Sequence, residues 1–276
     1  MTPSKPGPLG FVRSLARILG GRPQVPPSLQ DNALLRTLLH RRSVRRFADL
    51  PIPDDVFAAV LEAGRLAPST VNLQTWSFAV FNAEEWQGTF GRTIPFRAQR
   101  ALIVLGDVHR DKTVLDVFPD SPLVLYTVAV MNAGLAAMAM NVAAEALGVS
   151  SVMLSETGRT GLLDAGYLKE MLALPDGVFP LMTIVFGYPR GAYPPMPPKL
   201  PLDQISFTGQ YREPDPAVMT DWLHQMIAGY KASNLRSSFD AQLNVYRAKI
   251  GQAEADLHAM VFGDADDPGR SSSLDR

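Results

Sequence analysis

Apolar positions along the chain fall into three patterns, and each predicts a different element. The longest run, Ser121–Ala144, holds 24 residues without one charged side chain. Its length suits a bilayer crossing, but Asn132 and Asn141 would be costly against lipid. Gly134 and the alanines between Ala129 and Ala144 favour close backbone contact, and neither an aromatic belt nor a Lys/Arg cluster marks the ends. The run therefore predicts a buried central helix, covered by its own chain or shared between two copies. The second pattern is helical spacing. Leu34, Leu35, Leu38 and Leu39 form one such face, and Val56, Phe57, Val60 and Leu61 another. This second helix is expected to start at Asp54 as N-cap, after Pro51-Ile52-Pro53, and to stop before Pro68. The third pattern is the short apolar run, Ser77–Phe81 and Ala101–Asp107, which reads as strand. Strands that are few and interspersed with helices predict an α+β fold rather than a doubly wound parallel sheet.

The first thirty residues contain no Asp or Glu but carry Lys5, Arg13, Arg17 and Arg22. Phe11, Val12, Leu15, Ile18 and Leu19 share one helical face, so a membrane-surface helix or transit peptide is one reading. Flanking prolines and Gly20-Gly21 favour the other, a loosely ordered tail over 1–30. A folded domain over 31–208 and a helical extension over 209–276 with a disordered end complete the expected organisation. With no secretory apolar region, the expected compartment is cytoplasmic.

Composition narrows the chemistry. The 276 residues suffice for one large domain or two small ones. A net charge of −1 offers no global basic field, so no nucleic-acid partner is expected. The chain has no cysteine, and His40, His109, His224 and His258 lack ligand-pair spacing, so no metal is expected. No GxSxG, Walker A or GxGxxG string occurs, so a bound nucleotide is not held by a Rossmann loop.

Two stretches carry candidate chemistry. Arg41-Arg42-Ser43-Val44-Arg45-Arg46-Phe47 packs four arginines and a hydroxyl into one short segment. In an extended backbone Arg41, Ser43 and Arg45 would point the same way. Guanidinium forks suit a phosphate, and the serine adds a neutral donor; a solvated basic turn would show the same residues. Downstream, Ala67-Pro68-Ser69-Thr70-Val71-Asn72-Leu73-Gln74-Thr75-Trp76 is a loop of short polar groups that could hydrogen-bond a polar heterocycle.

In order and at this spacing, Arg-Arg-Ser-x-Arg-x-Phe followed by Ala-Pro-Ser-x-x-Asn-x-Gln-x-Trp resembles the FMN-dependent nitroreductase family. Later landmarks extend the resemblance over about residues 33–208. Ser121–Leu147 resembles the family's core and dimer-interface helix, Gly148–Gly158 its strand and flavin-facing turn, and Phe179–Pro189 its last core strand. Lys199-Leu200-Pro201-Leu202 resembles the usual Arg-Leu-Pro-Leu. Trp222–Tyr230, Lys231, Arg236 and Ala241–Phe262 resemble the C-terminal helices of the larger, NADPH-preferring flavin reductases and oxygen-insensitive nitroreductases.

The resemblance implies a mostly antiparallel sheet flanked by helices, in an intertwined homodimer with FMN at the subunit interface. It implies that Arg41, Arg42 and Ser43 grip the FMN phosphate and ribityl chain, with Lys199 in place of a phosphate-binding arginine. Arg45 would sit near N1 and O2 of the ring, where a cation stabilises the reduced form. Pro68, Ser69 and Thr70 would come from the other subunit and pack beside the ring. Met153, Leu154, Ser155 and Glu156 would present a backbone N–H near N5. Two departures stand out. Leu154-Ser155-Glu156-Thr157-Gly158 is bulkier than the family's turn and carries a carboxylate, and Pro197 replaces a frequent lysine. No catalytic side chain is expected, because FMN carries hydride from NAD(P)H and the protein supplies position, charge and shape. The implied activity is ping-pong reduction of nitroaromatics, quinones or another flat small-molecule acceptor. A same-fold enzyme of specialised chemistry (dehalogenation, flavin breakdown, biosynthetic dehydrogenation) and a non-enzymatic flavin-binding protein are the alternatives. Lys231 and Arg236, between two predicted helices, are either solvated loop charges or candidates to meet the NADPH phosphates.

Overall fold

The computed structural model describes residues 6–23, 25–115, 117–155, 159–234 and 237–263. In chain order its elements are α1 (Pro8–Gly20), α2 (Ala33–His40), α3 (Asp54–Arg65), β1 (Trp76–Phe81), α4 (Ala83–Phe90), β2 (Arg100–Asp107), α5 (His109–Lys112) and α6 (Pro122–Ala146). There follow β3 (Ser150–Leu154), α7 (Ala165–Met171), β4 (Val178–Gly187), α8 (Leu202–Ile205), α9 (Pro216–Ser233) and α10 (Phe239–Phe262). They form two compact units. The larger comprises Asn32–Ala192 with the chain from Ala248; the smaller comprises the chain up to Asp31 with Tyr193–Arg247.

The larger unit is built on a four-stranded sheet of order β1-β2-β4-β3, every pair antiparallel. Central strands β2 and β4 are buried almost end to end, so they read as near-continuous apolar runs, broken in β4 by Thr183, rather than as alternation. Leu102, Val104, Ile184 and Phe186 face a core filled by Val60 of α3 and by Ala133, Ala136 and Met140 of α6. Ile103, Leu105 and Val185 face the other way, onto Trp86 and Phe90 of α4 and Leu168 of α7. Helices thus cover both faces of an antiparallel sheet, and the architecture is the expected α+β.

Small residues let α6 lie close to its neighbours. A Cβ on Gly64 of α3 would lie 2.7 Å from Met140 Cγ, and one on Gly106 of β2 would lie 3.1 Å from Ala129 Cβ. One face of α6 is buried, through Ala129, Asn132, Ala133, Ala136, Ala137, Met140, Asn141 and Ala144. The opposite face leaves Leu123, Val124, Met131, Leu135 and Met138 between 39% and 59% exposed. The helix is long and apolar enough to cross a membrane, but it is packed on a sheet and a helix layer. The described residues therefore cover one face of this apolar helix and leave the other open.

Two local expectations change. Asp54 is the first residue of α3 and not its N-cap; Pro53 holds that position and makes no side-chain cap bond. The Asp54 carboxylate instead pairs with Arg100, and with Asp55 it places acid in the first turn, where the helix dipole favours it. Residues 8–20, read as part of a loose tail, form α1. Within the smaller unit α1 lies on α9, with Ser14 and Ile18 buried and Arg17 paired to Asp221. Gly229 makes room there, since a Cβ on it would stand 3.2 Å from Ile18 Cδ1. The docking face is thus Phe11, Ser14, Leu15 and Ile18, while Val12 and Leu19 stay exposed. A partner helix more than two hundred residues away gives α1 the burial that its own sequence cannot. Asp215 caps α9 by accepting from Ala217 N–H at 2.8 Å. In the larger unit the later part of α10 is tied to α7 and the turn before it. Lys249 bonds both oxygens of Asp164, at 2.9 and 3.1 Å, and Asp256 accepts from Gly166 N–H at 3.2 Å.

Candidate functional site

The arginine segment begins where α2 stops. Asn32 caps the helix start by accepting from Leu35 N–H at 2.9 Å. At the other end Arg42 Nη1 donates to the carbonyls of Leu39 (2.9 Å) and Arg41 (2.8 Å), closing the last turn. From Arg41 onward the backbone is extended. Ser43 bridges Ser151 of β3 in parallel, with Val44 N–H donating to Ser151 O at 3.1 Å. Further along, Phe47 bridges Pro189 and Ala48 N–H donates to Tyr188 O at 2.8 Å. Val44 and Phe47 are buried and act as anchors. Phe47 fills the space that Gly187 leaves, because a Cβ on Gly187 would fall 2.7 Å from the ring.

These anchors lie three residues apart, so burial along the segment does not follow a strict two-residue alternation. Arg41 and Ser43 are half-buried and Arg45 exposed, with Arg45 Nη1 reaching Ser43 O at 3.4 Å. Arg41 Nε is buried and has no hydrogen-bond partner among the described residues. An unpaired buried guanidinium N–H is a donor awaiting an acceptor. Burial and then repulsion from Arg41 lower the Arg42 pKa, and Glu145 of α6 opposes them. Below the segment Ser151 is buried, and its Oγ accepts from Asn141 Nδ2 at 2.8 Å. The donor set, several guanidinium groups beside a serine hydroxyl, fits a phosphate.

At the other end of β3, Met153 is half-buried, Leu154 buried and Ser155 exposed. Glu156 lies outside the described residues. Gly161 presses on this turn: a Cβ there would lie 2.7 Å from Ser155 Cα and 2.9 Å from Leu154 O, so the backbone admits no larger residue without moving. Lys199 is exposed on the segment before α8 in the smaller unit.

Pro68, Ser69 and Thr70 open the loop that leads into β1, at the sheet edge opposite β3. Val71, Asn72 and Gln74 adopt left-handed φ of 50°, 58° and 52°. For non-glycine residues such conformations cost on the order of 1–3 kcal/mol each, and they persist only where surrounding bonds enforce them. Those bonds are present. Thr70 N–H and Oγ1 donate to Asn132 Oδ1 at 3.0 and 3.3 Å, and Asn132 Nδ2 donates to Thr75 Oγ1 at 2.8 Å. Ser69 Oγ accepts from Gln74 N–H at 3.1 Å. Arg110 of α5 donates to Gln74 O at 3.4 Å and to Trp76 O, and its Nε meets Asp107 at 3.0 Å. Sequence reasoning passed over Asn132, Asn141 and Arg110 as holders of these segments. The signal for the first two was present, since each is a polar break in a charge-free run. Among the described residues no group of three His, Cys, Asp or Glu is placed to hold a metal ion.

The Nitroreductase family matches residues 38–188. The FMN reductase [NAD(P)H] of Bacillus subtilis is 26% identical over 197 residues, which cover 67% of this chain and 76% of that protein. The oxygen-insensitive NADPH nitroreductase of Salmonella typhimurium is 26% identical over 212 residues, 73% of this chain and 85% of that protein. Among solved structures, the NADPH:FMN oxidoreductase of Vibrio harveyi, complexed with NAD+, superposes with a TM-score of 0.68 at 23% identity. It covers 86% of this chain and 100% of that one.

Proposed function

The chain belongs to the nitroreductase family and is a flavin-dependent NAD(P)H oxidoreductase, and from that premise we propose how its residues divide the work. One observation carries the assignment. An extended arginine segment is held by backbone bonds to β3 and to the chain that follows β4, and it carries a buried guanidinium N–H without a partner among the described residues. Arg41 and Ser43 bind the FMN phosphate, and Arg42 fixes the helix end from which they project. Arg45 supplies positive charge beside the pyrimidine edge of the ring, and Met153, Leu154 and Ser155 line its N5 side. Bound FMN supplies hydride transfer between NAD(P)H and a flat acceptor such as a nitroaromatic or a quinone. The protein's part is to hold charge and shape around that chemistry.

The enzyme works as a homodimer in the cytoplasm. Support comes from the exposed apolar stripe of α6, which a second copy would cover, and from the position of the Pro68-Ser69-Thr70 loop. That loop stands at the sheet edge away from the arginine segment of its own chain, so it is free to serve the flavin of the partner.

The test is optical. Purified protein should be yellow with about one FMN per chain, should bleach on anaerobic addition of NADPH, and should recover its colour with a nitroaromatic or quinone. A colourless protein that takes up no flavin on soaking would overturn the residue assignments. A yellow protein that does not bleach would overturn the turnover.

A further inference from the structure

We propose that Asn132 is a positioning residue that holds the Ser69–Thr75 loop in its left-handed form, so that the loop tip is presented to bound flavin. This rests on the reading above that the loop packs beside the ring.

The loop is strained without a packing reward. Val71, a β-branched residue at φ 50°, is 77% exposed, and Asn72 and Gln74 are exposed as well. A β-branched side chain at positive φ is an outlier wherever it occurs. Had the turn carried Val71 into the core, burial would account for it. It carries Val71 outward, so the conformation has to be imposed from below and to serve something above.

Asn132 is the group that imposes it. The residue is 1% exposed on α6, between Ala129, Ala133 and Ala136, which are fully buried, so its head has little freedom to move. Thr70 N–H can only donate, which fixes the amide oxygen towards it at 3.0 Å and leaves Nδ2 for Thr75 Oγ1 at 2.8 Å. One planar head therefore grips both ends of the loop, whose remaining bonds to Ser69, Asp107 and Arg110 set its return into β1. Leucine has the branching of asparagine, a somewhat larger volume and neither function. Aspartate keeps the acceptor for Thr70, and the Thr75 hydroxyl can turn to donate to it.

The experiment compares wild type, Asn132→Leu and Asn132→Asp as FMN-loaded full chains. Hydrogen exchange across residues 66–76 should quicken at least about ten-fold in Asn132→Leu, while β2 and β4 keep wild-type rates. In the same variant the visible circular dichroism of bound FMN should change, and the Kd for FMN should rise by about ten-fold. Asn132→Asp should restore most of both, which a general loss of packing would not predict. Thr75→Val, which removes one arm and leaves α6 untouched, should repeat the effect in weaker form and serves if Asn132→Leu does not fold. A loop that exchanges at the wild-type rate in both Asn132→Leu and Thr75→Val overturns the inference. So does a loosened loop with an unchanged flavin spectrum and Kd. A wild type that takes up no FMN sinks the reading beneath it, whereas a flavin-bound wild type indifferent to Asn132 sinks this inference alone.

Discussion

Arg41 and Arg42 are neighbours in sequence and hold different things. Arg42 spends its Nη1 on two carbonyls at the end of α2, whereas Arg41 keeps a buried Nε without a partner among the described residues. Losing a hydrogen bond to a charged group costs about 1.5–3 kcal/mol. Arg41→Ala should therefore weaken FMN binding roughly ten- to a hundred-fold and leave the unfolding temperature of the flavin-free protein unchanged. Arg42→Ala should lower both affinity and unfolding temperature, because it also uncaps α2. Flavin titration and thermal unfolding of the two variants check this, and wild-type affinity in Arg41→Ala would remove Arg41 from the site. Asp111 offers a second contrast. One of its carboxylate oxygens is buried without a hydrogen bond among the described residues. Burial raises its pKa, Arg110 opposes, and Asp107 raises it further. A raised acid favours folding while protonated, below the ordinary aspartate value of about 3.9. That contribution is lost as pH climbs through the higher folded value. Asp111→Asn should thus unfold at a higher temperature than wild type at pH 7, and the gap should close as pH falls towards about 4. A gap that widened on acidification would mean that Asp111 is stabilising as an anion.

At the scale of elements, α6 decides most of the fold and leaves one question on its own surface. Its alanine face admits α3 and β2 at close range, and its outer stripe of Leu123, Met131, Leu135 and Met138 is open. Gly134 has nothing within 4 Å of an added Cβ, so the isolated chain would accept a larger residue there. Gly134→Leu should then be harmless to a monomer but should overpack a dimer by about 1–3 kcal/mol. Sedimentation of wild type and variant separates the two. Wild type should sediment as a dimer at micromolar concentration and Gly134→Leu should shift towards monomer or aggregate. A wild-type monomer, or a variant that dimerises as tightly as wild type, would mean the stripe is not the interface. The sheet teaches the complementary lesson. Ala101–Asp107 was legible because a strand buried on both faces must be largely apolar, whereas Phe179–Pro189 was legible through the family resemblance. For Arg41–Phe47 the sequence left an extended segment and a solvated basic turn both open, and the buried Val44 and Phe47 with the backbone bonds to Ser151 and Tyr188 decide for the extended form.

At the scale of the whole molecule, Lys231 illustrates how a charge can belong to the fold rather than to a ligand. Its ammonium lies 5.5 Å from the centre of the Phe11 ring, within the smaller unit, while Arg236, its companion in the expected donor site, lies outside the described residues. Such a contact is worth about 0.5–1 kcal/mol when exposed. Lys231→Ala should lower the unfolding temperature slightly and leave KM for NADPH and NADH alike. A KM rise confined to NADPH, fading at high salt, would return Lys231 to the donor site. The sequence by itself determined the α+β class, the strands, the core helix and the family, because each is written in local periodicity or in a motif whose residues lie close together. Only the tertiary structure decided what each apolar face meets. Helical spacing shows that residues 8–20 have a face, but not that α9 buries Ile18 and Ser14 and so makes them a helix instead of a loose tail. The same limit hid the asparagines. A polar residue in an apolar run announces a partner without naming it, and the partners of Asn132 stand 57 and 62 residues away, at the two ends of a loop. Burial makes such a residue satisfy its hydrogen bonds, but which groups do so depends on how the sheet brings distant segments together.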